Sequence, residues 1–274
     1  NGRFSHYFDN LQIYQSGTYK YGQLNDSLLT YNSNGSLAKI EQFVNNQVNG
    51  ICRYYYPNGN IMEISNRVND IPNGNFESYH ENGALNYKGI RKNNCWLNNL
   101  EVYNKEGRRQ RTALYSNCKL NGPLVAYYEN GIDTFSVTHF VEGKEQGFMK
   151  SYYRNGSIQE EVEYVSGVKQ GKIVAYFPSG NVYIKGQYHN NLYQGEWLIY
   201  HSNGALKQNG IYDRGKGTGE WQFFSPDGTL LTIGQYINDM RQGVWTEYDQ
   251  EGHILDRVFY INGQVLFRFS EFGN

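Results

Sequence analysis

A glycine recurs at Gly35, Gly59, Gly83, Gly107, Gly131, Gly156, Gly180, Gly204, Gly228 and Gly252, at steps of 24 residues with a single step of 25. Four places before each stands Tyr31, Tyr55, Tyr79, Tyr103, Tyr127, Tyr152, Tyr176, Tyr200, Phe224 or Tyr248. Seven before each stands Leu28, Cys52, Phe76, Leu100, Leu124, Met149, Ile173, Trp197, Trp221 or Trp245, all apolar. A period of this length marks an array whose units bury their apolar faces against their neighbours. The register reaches both ends. Gly2, Phe4, Tyr7, Ile13 and Tyr19 fill the slots of a copy whose turn residue is Leu11, and Phe269 and Phe272 fill those of a final half copy over 261–274. Residues 1–274 thus read as one array of about eleven copies.

Within a copy, positions two, six and eight after the turn glycine are apolar or small, as in Leu206, Gly210, Tyr212 and Leu230, Gly234, Tyr236. Even spacing places them on one face of a strand. The Trp and Tyr slots are three apart, so either a bulge realigns them or the tyrosine belongs to the other face. Two short strands and two turns fill 24 residues, giving one β-hairpin per copy. The 26 tyrosines and the repeated Asn-Gly pairs suit such strands and turns. The expected fold is all-β: an elongated single-sheet solenoid of antiparallel hairpins, twisted and curved, with about 23 strands extending on the order of 110 Å. The step of 25 places an extra residue near Thr138 or His139, where a β-bulge is expected.

The pattern G-x-W-x-x-Y-x-x-N-G-x-L followed by G-x-Y, seen in Gly195 to Tyr212 and Gly219 to Tyr236, resembles the MORN repeat, especially its bacterial variant form. The resemblance implies stacked β-hairpins and a non-catalytic binding or scaffolding role, and bacterial relatives of this type are commonly labelled antitoxins. Copies over 89–133 depart from the pattern: Asn98 replaces the first glycine, Arg109 and Asp133 replace the apolar residue after the turn, and Arg108 to Arg111 reads "RRQR".

The six histidines occupy different slots and form no metal-binding spacing, and the glycines obey the repeat, so no catalytic residue, metal or cofactor is expected. With a net charge of −1 and scattered Lys and Arg, nucleic acid is not an expected partner. Membrane contact is expected only through a partner or a removed N-terminal anchor. Cys52 takes the Trp slot and should be buried. Cys95 and Cys118 occupy nearly equivalent slots of adjacent copies, about 9 to 10 Å apart by strand spacing and beyond disulfide reach, so free thiols are expected.

The leading functional expectation is a protein-binding scaffold within a larger bacterial assembly. Neutralisation of a cognate toxin and glycan recognition are the alternatives. Candidate partner-binding residues are Arg108, Arg109 and Arg111 in the divergent copies, and Trp197, Trp221 and Trp245, whose rings could stack on a sugar. Residue 1 is not Met and abuts an intact repeat slot, so a partner over the first strand or further chain upstream is expected. The cell envelope is favoured over the cytoplasm.

Overall fold

The computed structural model describes residues 1–269, so Phe272 of the final half copy lies outside the described residues. The described residues form one antiparallel sheet of 25 strands and contain no helix. Within the first unit neighbouring strands pair from Gly2–Tyr7 on Ile13–Lys20 to Arg109–Ser116 on Lys119–Tyr127, and within the second from Gly147–Tyr152 on Ile158–Val165 to Ile254–Ile261 on Gln264–Arg268. Two of the 25 are two-residue fragments, Gln47–Val48 and Lys144–Glu145, split from the strands that follow them. The chain divides into two compact units, the first comprising Asn1–Thr134 with Phe140–Gly143, the second Phe135–His139 with Lys144 onward.

Each copy makes two kinds of turn. The inner turn has two residues at positive φ, such as Asn45 and Asn46 (52° and 66°) or Asn190 and Asn191 (49° and 66°). Asparagine tolerates this region, and the resulting turn matches the strand twist. The outer turn carries the periodic glycine. There the preceding asparagine accepts a hydrogen bond from the backbone two residues on, as Asn203 does from Ala205 N at 3.0 Å. Its amide also donates to the next copy, from Asn203 to Pro226 O at 2.6 Å and from Asn82 to Lys105 O at 2.7 Å. One side chain therefore fixes its own turn and staples it to its neighbour.

The insertion lies in an outer turn. Tyr128 N bonds Asp133 O, one residue further than the Tyr153 N to Ser157 O closure of the next copy. Ser136 and Val137 already pair with Ser151 and Lys150, placing the extra residue before them and Thr138, not Val137, in the sixth slot after the glycine. The ladder does break near His139, where Gln146 N donates to His139 O. The same break occurs in a copy of ordinary length, at Asn49 N to Gln42 O, so it belongs to the repeat and not to the insertion. A turn accepts an added residue without reversing the faces of a strand, which is why the insertion sits there and not in the predicted bulge.

The Trp and Tyr slots show both of the alternatives. A register shift falls just before the tyrosine in hairpin after hairpin, at Thr30/Tyr31, Ser78/Tyr79, Ile199/Tyr200 and Glu247/Tyr248. The tyrosine also faces away from the Trp slot: Tyr79 donates to Glu77 at 2.7 Å, and Glu77 neighbours Phe76 on the opposite face. The divergent Asn98 keeps the backbone of the glycine it replaces, at φ 58°.

Cys95 and Cys118 form a disulfide with Cα atoms 4.8 Å apart, which corrects the expectation of free thiols. Inner turns lean onto the preceding copy along most of the chain, as in Asn46 N to Leu24 O, Asp70 N to Val48 O and Asn94 N to Pro72 O. Cys118 is itself the second residue of such a turn, at φ 64°, while Cys95 lies just beyond the turn before it. The two-strand spacing of a flat sheet does not apply between them. Cys52 is a free, fully buried cysteine, and burial raises its thiol pKa above the ordinary value.

Candidate functional site

In the second unit the Trp slot forms one line with the position six after the turn glycine. Ile173 pairs with Gly186, Trp197 with Gly210, Trp221 with Gly234 and Trp245 with Val258. Each indole also lies across the glycine of the strand before it: a Cβ at Gly186, Gly210 or Gly234 would stand 2.4, 2.1 or 2.2 Å from a ring atom of Trp197, Trp221 or Trp245. Bulk at one slot is thus matched by its removal at the next. In the first unit the same line holds medium pairs, with Ala113 between Leu100 and Leu124 and Ser65 between Cys52 and Phe76.

Trp197, Trp221 and Trp245 are 6%, 4% and 1% exposed, so they are interior side chains. A row of open indole faces for sugar stacking is not what these three provide. They join Tyr188, Tyr193, Tyr212, Tyr236 and Tyr260 in a chain of ring contacts. Trp221 meets Tyr212 at 5.1 Å and Tyr236 at 5.5 Å, both edge to face, the arrangement ring quadrupoles favour. Trp221 Nε1 donates to Thr218 O and Trp245 Nε1 to Gln235 O, each at 3.1 Å.

A further slot, four places before the Trp slot, decides what covers these rings. Lys169 places its ammonium 5.0 Å from the centre of Tyr188. Tyr193 lies 4.2 Å from Trp197 and 5.2 Å from Tyr212. Arg241 sets its guanidinium 4.3 Å from the Trp245 ring and 5.3 Å from that of Tyr260, and donates to the Tyr260 hydroxyl at 3.0 Å. In the copy between, the slot is Gly217. Beside it lies a cavity of about 290 Å³ walled by Tyr212, Trp221, Phe223 and Tyr236, with Gln208 and Asp239 as polar lining. Asp239 accepts from Gly217 N at 2.6 Å and returns its own N–H to Gly217 O at 2.9 Å. The slot was legible in the sequence from its spacing, but the apolar-periodicity reading passed over a position that is Lys, Tyr, Gly and Arg in turn.

In the first unit the pairing is inverted. Arg91 takes the place of the tyrosine eight after the glycine, and its guanidinium sits 4.7 Å from Phe76 and 4.3 Å from Trp96, the residue opposite it. Burial lowers its pKa, an effect the nearby Glu63 opposes.

The "RRQR" segment does not form one patch. Arg108 lies in the outer turn and donates to Glu129 O at 3.3 Å. Arg109 lies 5.5 Å from the Tyr127 ring, and hydrogen bonds to Tyr127 and Tyr103 raise its pKa. Arg111, exposed, stands opposite Val102 and Ala126. Asp249, Glu251 and His253 share one outer turn with ligand atoms within 4.8 Å of one another, but Asp249 is already bonded to His253 N at 2.7 Å and to its ring.

One exposed feature repeats in each unit. The position nine after the turn glycine carries Val44 and Val68 in the first unit, and Val165, Ile237 and Ile261 in the second, all between 43% and 52% exposed. Ile71 opposite Val68 and Met240 opposite Ile237 are exposed as well.

Seven segments, 48–69, 72–93, 146–166, 169–190, 193–214, 218–238 and 241–262, match the family described as MORN repeat variant, together more than half of the chain. The divergent stretch between residues 94 and 145 falls outside the matches. No curated protein matches the chain. Among solved structures, TcdB2-TccC3-Cdc42 and TcdB2-TccC3 are similar at 12% and 13% identity, over 94% of this chain and 17% of those chains, with TM-scores of 0.21. The Photorhabdus luminescens Tc holotoxin pore is similar at 11% identity, over 95% and 18%, with a TM-score of 0.18. The chain spans less than a fifth of the length of these proteins.

Proposed function

Because the chain belongs to the MORN repeat variant family, we propose that it is a non-catalytic scaffold that binds proteins, a subunit of a larger assembly in a bacterial cell envelope. The observation that carries this reading is the recurrence of exposed aliphatic side chains at one repeat slot. Val165, Ile237 and Ile261 each leave about half of their surface in water beside an inner turn. A repeated exposed apolar position is the kind of surface that protein partners cover. The Cys95–Cys118 disulfide supports the envelope part of the reading, since such bridges persist in oxidising compartments.

The test is capture of partners from native extract by cross-linking and mass spectrometry, comparing the wild-type chain with the double variant Val165→Glu, Ile237→Glu. The double variant is expected to lose the partners while its stability stays within about 0.5 kcal/mol per site, as exposed substitutions do. Equal capture by the two proteins overturns the assignment of this surface. A single small toxin in equal amount would replace the scaffold by an antitoxin.

A further inference from the structure

The cavity beside Gly217 has the walls of an arginine site without an arginine of its own. One copy on, Arg241 lies between Tyr236 and Tyr260 and over Trp245. The corresponding frame here is Tyr212, Tyr236 and Trp221, and Tyr212 pairs with Gly217 as Tyr236 pairs with Arg241. The ring geometry is shared: Trp221 meets Tyr236 at 5.5 Å and 82°, and Trp245 meets Tyr260 at 6.4 Å and 75°. The covering side chain differs, Arg241 in one copy and Gly217 in the other, and so do three positions around it, where Gln208, Phe223 and Asp239 stand in place of Thr232, Glu247 and Gly263. Ring faces attract a cation placed over them, and a guanidinium both stacks and donates hydrogen bonds in its plane. The carboxylate of Asp239 adds a negative charge at the rim, and Gln208 adds an amide. Trp221 is 4% exposed, so an entering group passes along the half-buried Tyr212 and Tyr236.

We infer that this cavity binds the guanidinium of an arginine side chain presented by a protein partner. The inference deepens the protein-binding reading, on which it rests, by giving the chemistry of one contact. It commits to arginine and not to a neutral ring or a sugar, because the chain itself fills the frame with arginine in the neighbouring copy and sets Arg91 against Phe76 and Trp96, which meet edge to face, in the first unit. Tyr193, which fills the same slot one copy earlier, shows that a flat group fits, but the acid at Asp239 favours a cation.

The experiment is titration of the full chain with N-acetyl-arginine methylamide, with the citrulline analogue as the neutral isostere, following the indole N–H resonance of Trp221 by NMR. The arginine compound is expected to give a saturable shift, and citrulline to bind about tenfold more weakly, the ratio expected for losing one partly desolvated cation–π contact. Gly217→Arg should supply the missing group from within and abolish the shift. Gly217 is not at positive φ, and an added Cβ meets Asp239 and Trp221 at 3.3 Å, so this variant is expected to keep the wild-type circular dichroism. Asp239→Asn is the second variant: it retains an acceptor for Gly217 N and a residue suited to positive φ, and is expected to weaken arginine but not citrulline. Equal binding of the two compounds, no saturable shift, or an unchanged shift in Gly217→Arg overturns the inference. Such a failure leaves partner capture through Val165 and Ile237 untouched, whereas equal capture by the wild-type chain and the Val165→Glu, Ile237→Glu variant, with arginine still bound, would overturn only the proposed surface.

Discussion

Replacing Gly210 by alanine tests the size matching of the indole line most directly. The new Cβ would stand 2.1 Å from Trp221 Cδ2 and 2.3 Å from Cε2, so the indole or the strand must move by about 1.3 Å to restore ordinary contact. The indole borders the cavity beside Gly217, so a shift into it is open, but that shift breaks the contacts to Tyr212 and Tyr236 and the Nε1 bond to Thr218 O. Overpacking a filled core costs about 1 to 3 kcal/mol, and a displaced, hydrogen-bonded indole belongs at the upper end. Gly217→Ala is the control, because its Cβ meets the same indole at 3.3 Å and should cost less than about 1 kcal/mol. A second arm asks for compensation. Ala113 faces Leu100 and Leu124, so a leucine suits an alanine opposite it, and Gly210→Ala, Trp221→Leu should be more stable than the sum of its single changes by about 1 kcal/mol or more. Urea unfolding followed by circular dichroism, with midpoints compared at constant slope, measures the wild type, the three single variants and the double variant. A Gly210→Ala midpoint equal to that of the control, or strict additivity in the double variant, would refute the reasoning.

Removing the Cys95–Cys118 bridge, by reduction or by the paired serine variant, should cost about 3 kcal/mol for a loop of this length, and an intact-mass comparison under non-reducing conditions should show the loss of two hydrogens in the native chain. Alkaline pH should destabilise the second unit: burial against Tyr193 and its neighbours pushes Tyr188 up to about 12, so the unfolded chain sheds this proton first, from about pH 10. The stabilising contribution is complete below pH 10 and lost as pH rises toward 12, and Tyr188→Phe should flatten that limb of a melting-temperature profile. Asn203→Asp keeps the acceptor for Ala205 N but loses the donor to Pro226 O, which should cost about 1 kcal/mol in thermal unfolding. Asp227 already makes the same acceptor bond, to Thr229 N, in a natural copy.

Periodicity alone located the hairpins, the glycine turns, the packed Trp slot and the buried Cys52, because each depends on contacts within one copy or between adjacent copies. Two expectations fail for separate reasons. Cys95 and Cys118 meet because an inner turn folds over the copy before it, and no strand spacing contains that tilt. Counting the 25-residue step from the glycine forward assigns the extra residue to the strand, whereas the longer Tyr128 to Asp133 closure absorbs it at once. The candidate site was harder to see for a different reason. Trp197, Trp221 and Trp245 stood out by type, while the informative residue, Gly217, is distinguished only by the side chain it lacks relative to Lys169, Tyr193 and Arg241.

The staples between turns have a consequence for how such a chain is made and altered. Asn94 N reaches back only to Pro72 O and Gly263 N only to Arg241 O. A newly emerged copy therefore finds its backbone partners in the copy already in place, so closure entropy stays small and folding can proceed in step with synthesis or export. The same locality sets a quantum for change in length. Removing 24 residues in register restores every staple across the seam, while removing 12 joins an outer turn to an inner one and leaves both without a mate.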